Sequence, residues 1–346
     1  MSSGAPLLRT LLEALLEGRS LTEPQACELM VALTDSTLAP ALAGALLAAL
    51  RAKSVTADEL RGFACGMRSL ARRPQLPEVG PTIDIVGTGG DSSHSFNIST
   101  GTALLAVAAG ARVVKHGNRS VSSRSGSADV LEALGLALPL DERAAGECLA
   151  ATGFTFLFAP HYHPAMKAIA PVRAALGIRT VFNILGPLTN PAEPPFHVIG
   201  AFSTQAAALM AETLAGLPLQ RAFVVHGEPG WDEPTPAGPF VLYDVRSGSR
   251  RQSIRSAADY GLPACTPDDL KGGDAASNAR ALRAVLEGRD HGAHRDALLM
   301  GASLALEVMG LVDGPRAGVE RAAAAIDSGA AAALLAALAA FSQGAR

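Results

Sequence analysis

Hydrophobic positions recur along the chain with two different periods. In the N-terminal segment they return every three or four residues, the spacing of one helix face. The leucines of this pattern are Leu7, Leu8, Leu11, Leu12, Leu15 and Leu16. Thr22 with Gln25, and Thr56 with Glu59, each match a capping box at a helix start. We therefore expect residues 1–78 to form a helical domain.

The spacing of hydrophobic positions changes after a break at residues 71–81, "ARRPQLPEVGP", which holds three prolines and a glycine. Short strand-like runs then alternate with helical segments. The predicted strands are "TIDIV" (82–86), "RVVK" (112–115), "FTFLFA" (154–159), "HVIGAF" (197–202) and "AFVVHG" (222–227). This alternation predicts an α/β domain over residues 79–346, with a mainly parallel central sheet covered by helices.

Composition narrows the class of protein. The chain is 49% hydrophobic and 18% charged, enough for a large core, and its net charge is −3. The protein has no overall positive charge of the kind that attracts nucleic acid, so any anion-binding site must be local. The longest charge-free apolar runs are shorter than the about 20 residues of a membrane span, and Glu13 and Glu17 argue against a signal peptide. Four scattered cysteines without metal-type spacing predict reduced thiols in a cytoplasmic protein.

A glycine-rich run, "GTGGDSSHSFNIST" (87–100), follows the first predicted strand. It lacks the spacing of a dinucleotide fingerprint, because position 92 is Ser, and it lacks the Lys of a P-loop. Asn97, Ser99 and Thr100 bring short donors to a helix start expected near Ser99. A helix N-terminus with flexible backbone before it favours an anion. A turn-rich connection is the alternative.

A second polar run, "KHGNRSVSSRSGSAD" (115–129), follows the next strand. Lys115, His116, Arg119 and Arg124 supply cations, and five serines supply hydroxyl groups. This density of donors is typical of a phosphate site. The alternative is a solvated loop in which Ser127 caps the next helix.

Two further groups suggest a metal and a carboxylate ligand. Asp232 and Glu233 are adjacent in a loop rich in Gly and Pro. Such a pair suits Mg²⁺, which completes its shell with substrate phosphates and water, although it is also common in solvent-facing turns. Arg173 lies among apolar helical positions, where it is either a surface arginine or a bidentate grip on a carboxylate. His163, before a proline, is either a helix-start residue or a ligand contact.

With these residues in view, the sequence resembles the anthranilate phosphoribosyltransferase family over almost its entire length. The motifs are "GTGGD", "FNIST", "KHGNRSVSS", "SGSADVLEALG", "HPAMK", "PVR", "GIRTVFNILGPLTNP" and "DE" at 232–233. The resemblance implies a fold of the nucleoside phosphorylase type, in which helices from about 165–190 join the N-terminal helical domain. It also implies a cytoplasmic homodimer that uses Mg²⁺, with two ions expected, to join phosphoribosyl pyrophosphate (PRPP) and anthranilate.

The resemblance also implies roles for individual residues. For PRPP it implies Gly87, Gly90, Asp91, Ser95, Asn97, Ile98, Ser99, Thr100, Lys115, His116, Gly117, Asn118, Arg119, Ser120, Val121, Ser122, Ser123 and Ser127. For anthranilate it implies Asn118 and Arg173, with Gly87, His116, His163, Gly186 and Pro187 nearby. For the metal it implies Ser99, Asp232 and Glu233. We assign no catalytic acid–base pair, because the residues offer no obvious one and the reaction does not demand it.

Three other functions stay open at this point. A pyrimidine nucleoside phosphorylase shares the fold and also acts at an anomeric carbon. A paralogue could use a different aromatic amine, and a binding protein could keep the fold without activity. The sequence also departs from the family pattern at Ser92, Arg124 and "GEPGWDEP", where the metal loop carries extra prolines.

Overall fold

In the computed structural model, which describes residues 5–91, 93–120, 124–228 and 230–344, four helices precede the first strand. They are α1 (Ala5–Leu16), α2 (Glu23–Leu33), α3 (Pro40–Lys53) and α4 (Ala57–Ser69). Thr22 and Thr56 form the two expected capping boxes, each accepting from the N3 amide while the N3 side chain accepts from the cap amide. The helical prediction for this segment is confirmed.

A seven-stranded sheet follows. Its strands are β1 (Ile83–Gly87), β2 (Val113–Gly117), β3 (Phe154–Phe158), β4 (Phe196–Gly200), β5 (Arg221–Gly227), β6 (Phe240–Arg246) and β7 (Ser249–Arg255). Their order is β3-β2-β1-β4-β5-β6-β7. The first five are parallel, as predicted, and β6 and β7 extend the sheet as an antiparallel hairpin. The five predicted strands are found within one or two residues of their expected ends.

The remaining helices are α5 (Ile98–Ala108), α6 (Ser127–Leu134), α7 (Glu142–Thr152), α8 (Ala159–Tyr162), α9 (Met166–Leu176), α10 (Phe182–Leu185), α11 (Thr204–Ala215), α12 (Ala275–Leu286), α13 (Ala293–Val308), α14 (Pro315–Asp327) and α15 (Ala330–Gly344). Among the described residues no single helix has the length and apolar composition to cross a membrane. Only α14 and α15 taken together pass that test, and they are bent by 62°.

Two hydrophobic cores pack against the sheet. One contains the α5, α13 and α15 side of the α/β domain. The other joins α1–α4 to Ile169 of α9 and Phe182 of α10, and continues into α11 and the facing residues of β4 and β5. The segment around 165–190 therefore packs with the N-terminal helices. The same core includes residues of the α/β domain.

The hairpin β6–β7 is absent from the sequence-based expectation. β7 reads "SRRQSIR", with five of seven residues exposed and no apolar alternation. Its Arg250 and Arg251 are exposed on an edge strand, where charge discourages pairing with other chains. Backbone pairing with β6, not side-chain burial, defines this strand.

Candidate functional site

The glycine-rich run, the second polar run and the acidic pair meet at the carboxyl edge of the parallel strands. Gly87 ends β1 and pairs in register with Gly200, which ends β4. The strand order reverses direction between β1 and β4, which makes this a topological switch point. Ligands of open α/β sheets bind at this position. The three motifs meet here because each follows a strand of the same sheet.

Two glycines create the space that holds Asp232. A Cβ at Gly87 would lie 2.4 Å from Oδ2 of Asp232, and a Cβ at Gly200 would lie 1.5 Å from its carbonyl oxygen. The backbone N–H of Gly89 donates to Oδ2 of Asp232 at 2.5 Å. The Asp232 N–H in turn donates to the carboxylate of Asp91 at 3.2 Å. These hydrogen bonds join the loop that carries Asp232 and Glu233, the acidic loop, to the glycine-rich run, the glycine loop.

The carboxylates of this cluster disfavour one another's charge. Burial, together with nearby Asp91, raises the pKa of Asp232 to about 7. Burial and the charge of Asp232 raise the pKa of Glu233 to about 8, although Lys115 opposes this shift. Buried carboxylates with raised pKa values are stabilised in the ionised form by a cation.

This donor set fits a divalent ion that is shared with a substrate. Within the described ranges, no group of three or more His, Cys, Asp or Glu side chains is arranged to hold an ion by itself. Mg²⁺ is usually bound through one or two carboxylates, and substrate phosphates and water complete its shell. Asp232 and Glu233 are oxygen donors of this kind. Ser99 lies beside them, and its N–H donates to Oε1 of Glu233 at 3.1 Å.

Lys115 joins the second polar run to this cluster. Its side chain is 2% exposed, and its Nζ donates to the carbonyl oxygen of Ile85 and to Oγ of Ser99, the latter at 3.4 Å. Burial lowers the pKa of Lys115, and the nearby carboxylates of Asp84 and Glu233 oppose that shift. The ammonium group therefore lies under the start of α5, beside the acidic pair.

Asp84 and Asn190 are buried next to β2, the strand that carries Lys115. Neither residue was predicted from the sequence. Asp84 is fully buried and accepts from the His116 N–H at 3.2 Å and from Nδ2 of Asn190 at 2.8 Å. Burial raises the pKa of Asp84 to about 6, and Lys115 opposes the shift. The available signal was a charged residue at the centre of the "TIDIV" strand, since buried charges are paired.

We call the surface formed by the glycine-rich run, the N-terminus of α5 and Lys115 the cradle. The second polar run only partly faces this cradle. The guanidinium of Arg119 lies 2.9 Å from Asp129 and 2.5 Å from Glu132, so its charge is engaged with α6. Ser127 Oγ donates to the carbonyl oxygen of Asn118 at 3.2 Å, and Gly126, not Ser127, is the N-cap of α6. The predicted contacts Val121, Ser122 and Ser123 lie outside the described residues.

The other predicted PRPP residues lie on the glycine loop and the first turn of α5. Gly90 has φ +70°, and Ser95 forms an antiparallel bridge with Lys271. Ile98 and Thr100 are buried in the first turn of α5, where Oγ1 of Thr100 has no hydrogen-bond partner among the described residues. These residues therefore surround the N-terminus of α5, the end of the helix that favours an anion.

Arg173 forms no ion pair with any carboxylate of the described residues. Its guanidinium lies 4.8 Å from the ring centroid of Phe182. Burial lowers the pKa of Arg173, and no acidic group in the described part of the chain opposes that shift. A half-buried guanidinium stacked on an aromatic ring is ready to hold a ligand carboxylate.

His116 and His163 form a buried pair beside the Gly186–Pro187 turn. Their rings lie 5.0 Å apart in an edge-to-face arrangement. Burial, and for His116 the neighbouring imidazole, lowers their pKa values to about 3 and about 4. Nε2 of His116 and both ring nitrogens of His163 have no well-placed hydrogen-bond partner in the described ranges. Both imidazoles are therefore neutral at pH 7.

Arg179 is a further residue that the sequence did not single out. It lies between α9 and α10, and its guanidinium donates to the carbonyl oxygen of Gly90. It also lies 4.1 Å from the ring centroid of Phe202, which follows β4. This arginine therefore ties the segment that packs with the helical domain to the glycine loop. The motif "GIRT" was visible, but nothing in it specified this partner.

Two family models match the chain. The model described as the glycosyl transferase family, a/b domain, matches residues 79–332. The model described as the glycosyl transferase family, helical bundle domain, matches residues 9–71. Together they span both parts of the fold described above.

Known proteins with similar sequences and structures agree with these matches. The chain is 45% identical to anthranilate phosphoribosyltransferase from Chloroflexus aurantiacus, covering 93% of this chain and 95% of that protein. The structure of anthranilate phosphoribosyltransferase from Thermus thermophilus superposes with a TM-score of 0.89 at 41% identity, covering 96% and 99%. That of the Saccharomyces cerevisiae enzyme, in complex with PRPP and Mg, also gives 0.89 at 25% identity, covering 98% and 99%. The chain therefore belongs to the anthranilate phosphoribosyltransferase family.

Proposed function

We propose that this chain, a glycosyltransferase by family, transfers the phosphoribosyl group of PRPP to the amino group of anthranilate in tryptophan biosynthesis. Pyrophosphate is the leaving group. One observation carries the proposal: the glycine loop, Lys115 and the Asp232–Glu233 pair are joined by direct hydrogen bonds at the switch point of the sheet. The position and the chemistry are those of a polyphosphate site.

The cradle binds PRPP through backbone and short side chains. The N-terminus of α5, at Ser99 and Thr100, presents the positive end of the helix dipole. The Ser99 N–H is bonded to Glu233 and so places the acidic pair at this helix end. Lys115 supplies a buried positive charge next to them. Arg119 contributes its backbone more than its charge, because Asp129 and Glu132 already hold its guanidinium.

Asp232 and Glu233 would hold Mg²⁺, and Ser99 lies where it can join them. When bound, the ion neutralises charge on the departing pyrophosphate. We expect two ions, as the resemblance to the family implies.

Arg173 holds the carboxylate of anthranilate and thereby presents the aromatic amine, with Asn118, His116 and His163 lining the approach. An aromatic amine is neutral at physiological pH and needs no strong base before it attacks the anomeric carbon. The neutral imidazoles of His116 and His163 place no charge beside it. Positioning of two substrates supplies much of the rate, and no acid–base pair is required.

The same proposal includes a homodimer formed through the helical domain. Leu7 and Leu16 of α1 are 47% and 65% exposed, which supports an apolar contact surface there. The four cysteines are free thiols, which supports a cytoplasmic location.

The acceptor is tested by comparing kcat/KM for anthranilate and for aniline, which lacks the carboxylate, in wild type and Arg173→Ala. Charge-assisted hydrogen bonds contribute roughly 1.5–3 kcal/mol, so the wild type should prefer anthranilate and the variant should lose most of that preference. Lys167→Ala removes a charge from an exposed position of the same helix and serves as the control. Equal use of both amines by the wild type would favour another acceptor, and phosphorolysis of thymidine would favour a nucleoside phosphorylase.

A further inference from the structure

The glycine loop does not stand alone: its second half is held by a distant segment, residues 270–273. The N–H of Phe96 donates to the carbonyl oxygen of Leu270 at 3.0 Å, and the N–H of Gly272 donates to that of His94 at 2.8 Å. A Cβ at Gly272 would lie 2.6 Å from the carbonyl oxygen of Ser95, so only glycine permits this approach. The two segments are paired like short antiparallel strands.

Asn97 ends that half of the loop, and its side chain does not cap α5. Instead Nδ2 of Asn97 donates to the carbonyl oxygen of Ser125 at 3.2 Å, in the second polar run. Its Oδ1 accepts from Nδ2 of Asn278 at 2.8 Å. The Asn97 amide is therefore fixed from both ends and links the two phosphate-type loops.

Asn278 completes the chain of bonds. It lies in the first turn of α12, is 3% exposed, and its Oδ1 accepts from the Gly273 N–H at 2.7 Å. The Asn278 amide oxygen thus accepts a hydrogen bond from the 270–273 segment, and its NH₂ group donates one to Asn97. A buried amide with both ends satisfied is held in one orientation, because reversing it would set donor against donor and acceptor against acceptor.

We propose that Asn278 is a positioning residue for PRPP binding, which acts through Asn97 and touches no substrate itself. It aligns Asn97 and thereby joins residues 94–97 of the glycine loop, the 270–273 segment and Ser125 of the second polar run. A site held by such supporting bonds loses affinity when they are removed, even though the contacts themselves remain. This assignment rests on the proposed function, because its readout is PRPP binding.

The test measures the Kd for PRPP with Mg²⁺ by calorimetry, the anthranilate KM at saturating PRPP, and the Tm. Asn278→Ala removes the bond and should raise the PRPP Kd about tenfold. Asn278→Asp keeps the shape but sets a carboxylate oxygen against Oδ1 of Asn97, so its effect should be larger. Both variants should leave the anthranilate KM within about twofold. Ser277→Ala is the control, at a half-buried position of the same turn whose Oγ accepts from Arg280 rather than bonding to Asn97 or Asn278.

A double-mutant cycle separates positioning from general stability. If Asn278 acts through Asn97, the double variant Asn97→Ala/Asn278→Ala binds PRPP no more weakly than Asn97→Ala alone. Additive losses, an unchanged PRPP Kd in Asn278→Ala, or equal losses for both substrates would each overturn the assignment. Wild type that binds no PRPP would contradict the proposed function and this inference together. Wild-type binding with unaffected variants would contradict the inference alone.

Discussion

Gly200 shows how one missing side chain shapes the site. A Cβ at this position would lie 1.5 Å from the carbonyl oxygen of Asp232 and 2.5 Å from its carbonyl carbon, both backbone atoms that cannot swing away. Gly200 ends β4, where a glycine within a strand pattern signals a close backbone approach. The place of the acidic loop therefore depends on a residue that does no chemistry.

We predict that Gly200→Ala displaces the acidic loop and lowers kcat at least about tenfold, because Asp232 and Glu233 move from their positions relative to the cradle. Raising the Mg²⁺ concentration should recover part of the loss. Gly314→Ala is the matched control, since that glycine has extended backbone and open space around its Cβ position. Steady-state kinetics over a series of Mg²⁺ concentrations measure the loss of kcat and its recovery. A Gly200→Ala variant with wild-type kcat would contradict the close packing of Gly200 against Asp232.

The raised pKa values of Asp232 and Glu233 predict how stability depends on pH. Their folded pKa values, about 7 and about 8, exceed the ordinary carboxyl range of about 4. The metal-free fold therefore holds protons that the unfolded chain releases. Its free energy of unfolding should decrease as pH rises from about 5 to about 8.

Denaturant unfolding in EDTA at pH 5.5 and pH 8.0 measures this decrease. The doubly neutral variant Asp232→Asn/Glu233→Gln should lose at least about 1 kcal/mol less than wild type over that range. Added Mg²⁺ should reduce the wild-type loss, because the ion stabilises the ionised carboxylates. A wild-type pH dependence equal to that of the variant would contradict the clustered, buried placement.

At the scale of elements, the segment between α9 and α10 connects the helical domain to the cradle through Arg179. Its guanidinium stacks on Phe202 and donates to the carbonyl oxygen of Gly90. Gly90 has φ +70°, in the left-handed region, so this hydrogen bond holds a turn that would otherwise sample several shapes.

We predict that Arg179→Ala raises the PRPP KM roughly three- to tenfold and leaves the Tm nearly unchanged, because the side chain is exposed. Arg51→Ala removes an exposed charge elsewhere in the helical domain and should alter neither quantity. Steady-state kinetics and thermal unfolding of the three proteins decide the matter. An unchanged PRPP KM would show that the glycine loop is held without Arg179.

The secondary-structure elements could be predicted from the sequence more fully than the contacts within the site. The capping boxes and the five parallel strands were local patterns, so they could be read directly. The three motifs each follow a parallel strand, which sufficed to bring them to one edge. Contacts such as Arg179 with Gly90 and Asn278 with Asn97 join residues far apart in the chain, and no local pattern encodes them. The polar β7 was missed because edge strands need not bury one face.

At the scale of the whole molecule, the helical domain and α11 share one core. Leu60 and Phe63 of α4 are fully buried together with Met210 and Leu214 of α11. Removing the helices would expose this face of the α/β domain to water, at a cost of about 25 cal/mol for each Å² of apolar surface.

We predict that a chain lacking residues 1–70 does not fold cooperatively. Thermal unfolding followed by circular dichroism and by the fluorescence of Trp231, the single tryptophan, measures this. The full chain should give one coincident transition, and the shortened chain should give none. A sharp transition in the shortened chain would show that the α/β domain has a sufficient core of its own.

The central claim is that the cradle, the acidic pair and Arg173 together serve one transfer reaction. The most direct measurement follows anthranilate fluorescence with PRPP and Mg²⁺, alongside pyrophosphate release, and repeats it in EDTA. We predict that anthranilate is consumed and pyrophosphate released in equal amounts, and that EDTA abolishes both. Folded protein that binds PRPP but leaves anthranilate unchanged would contradict the claim.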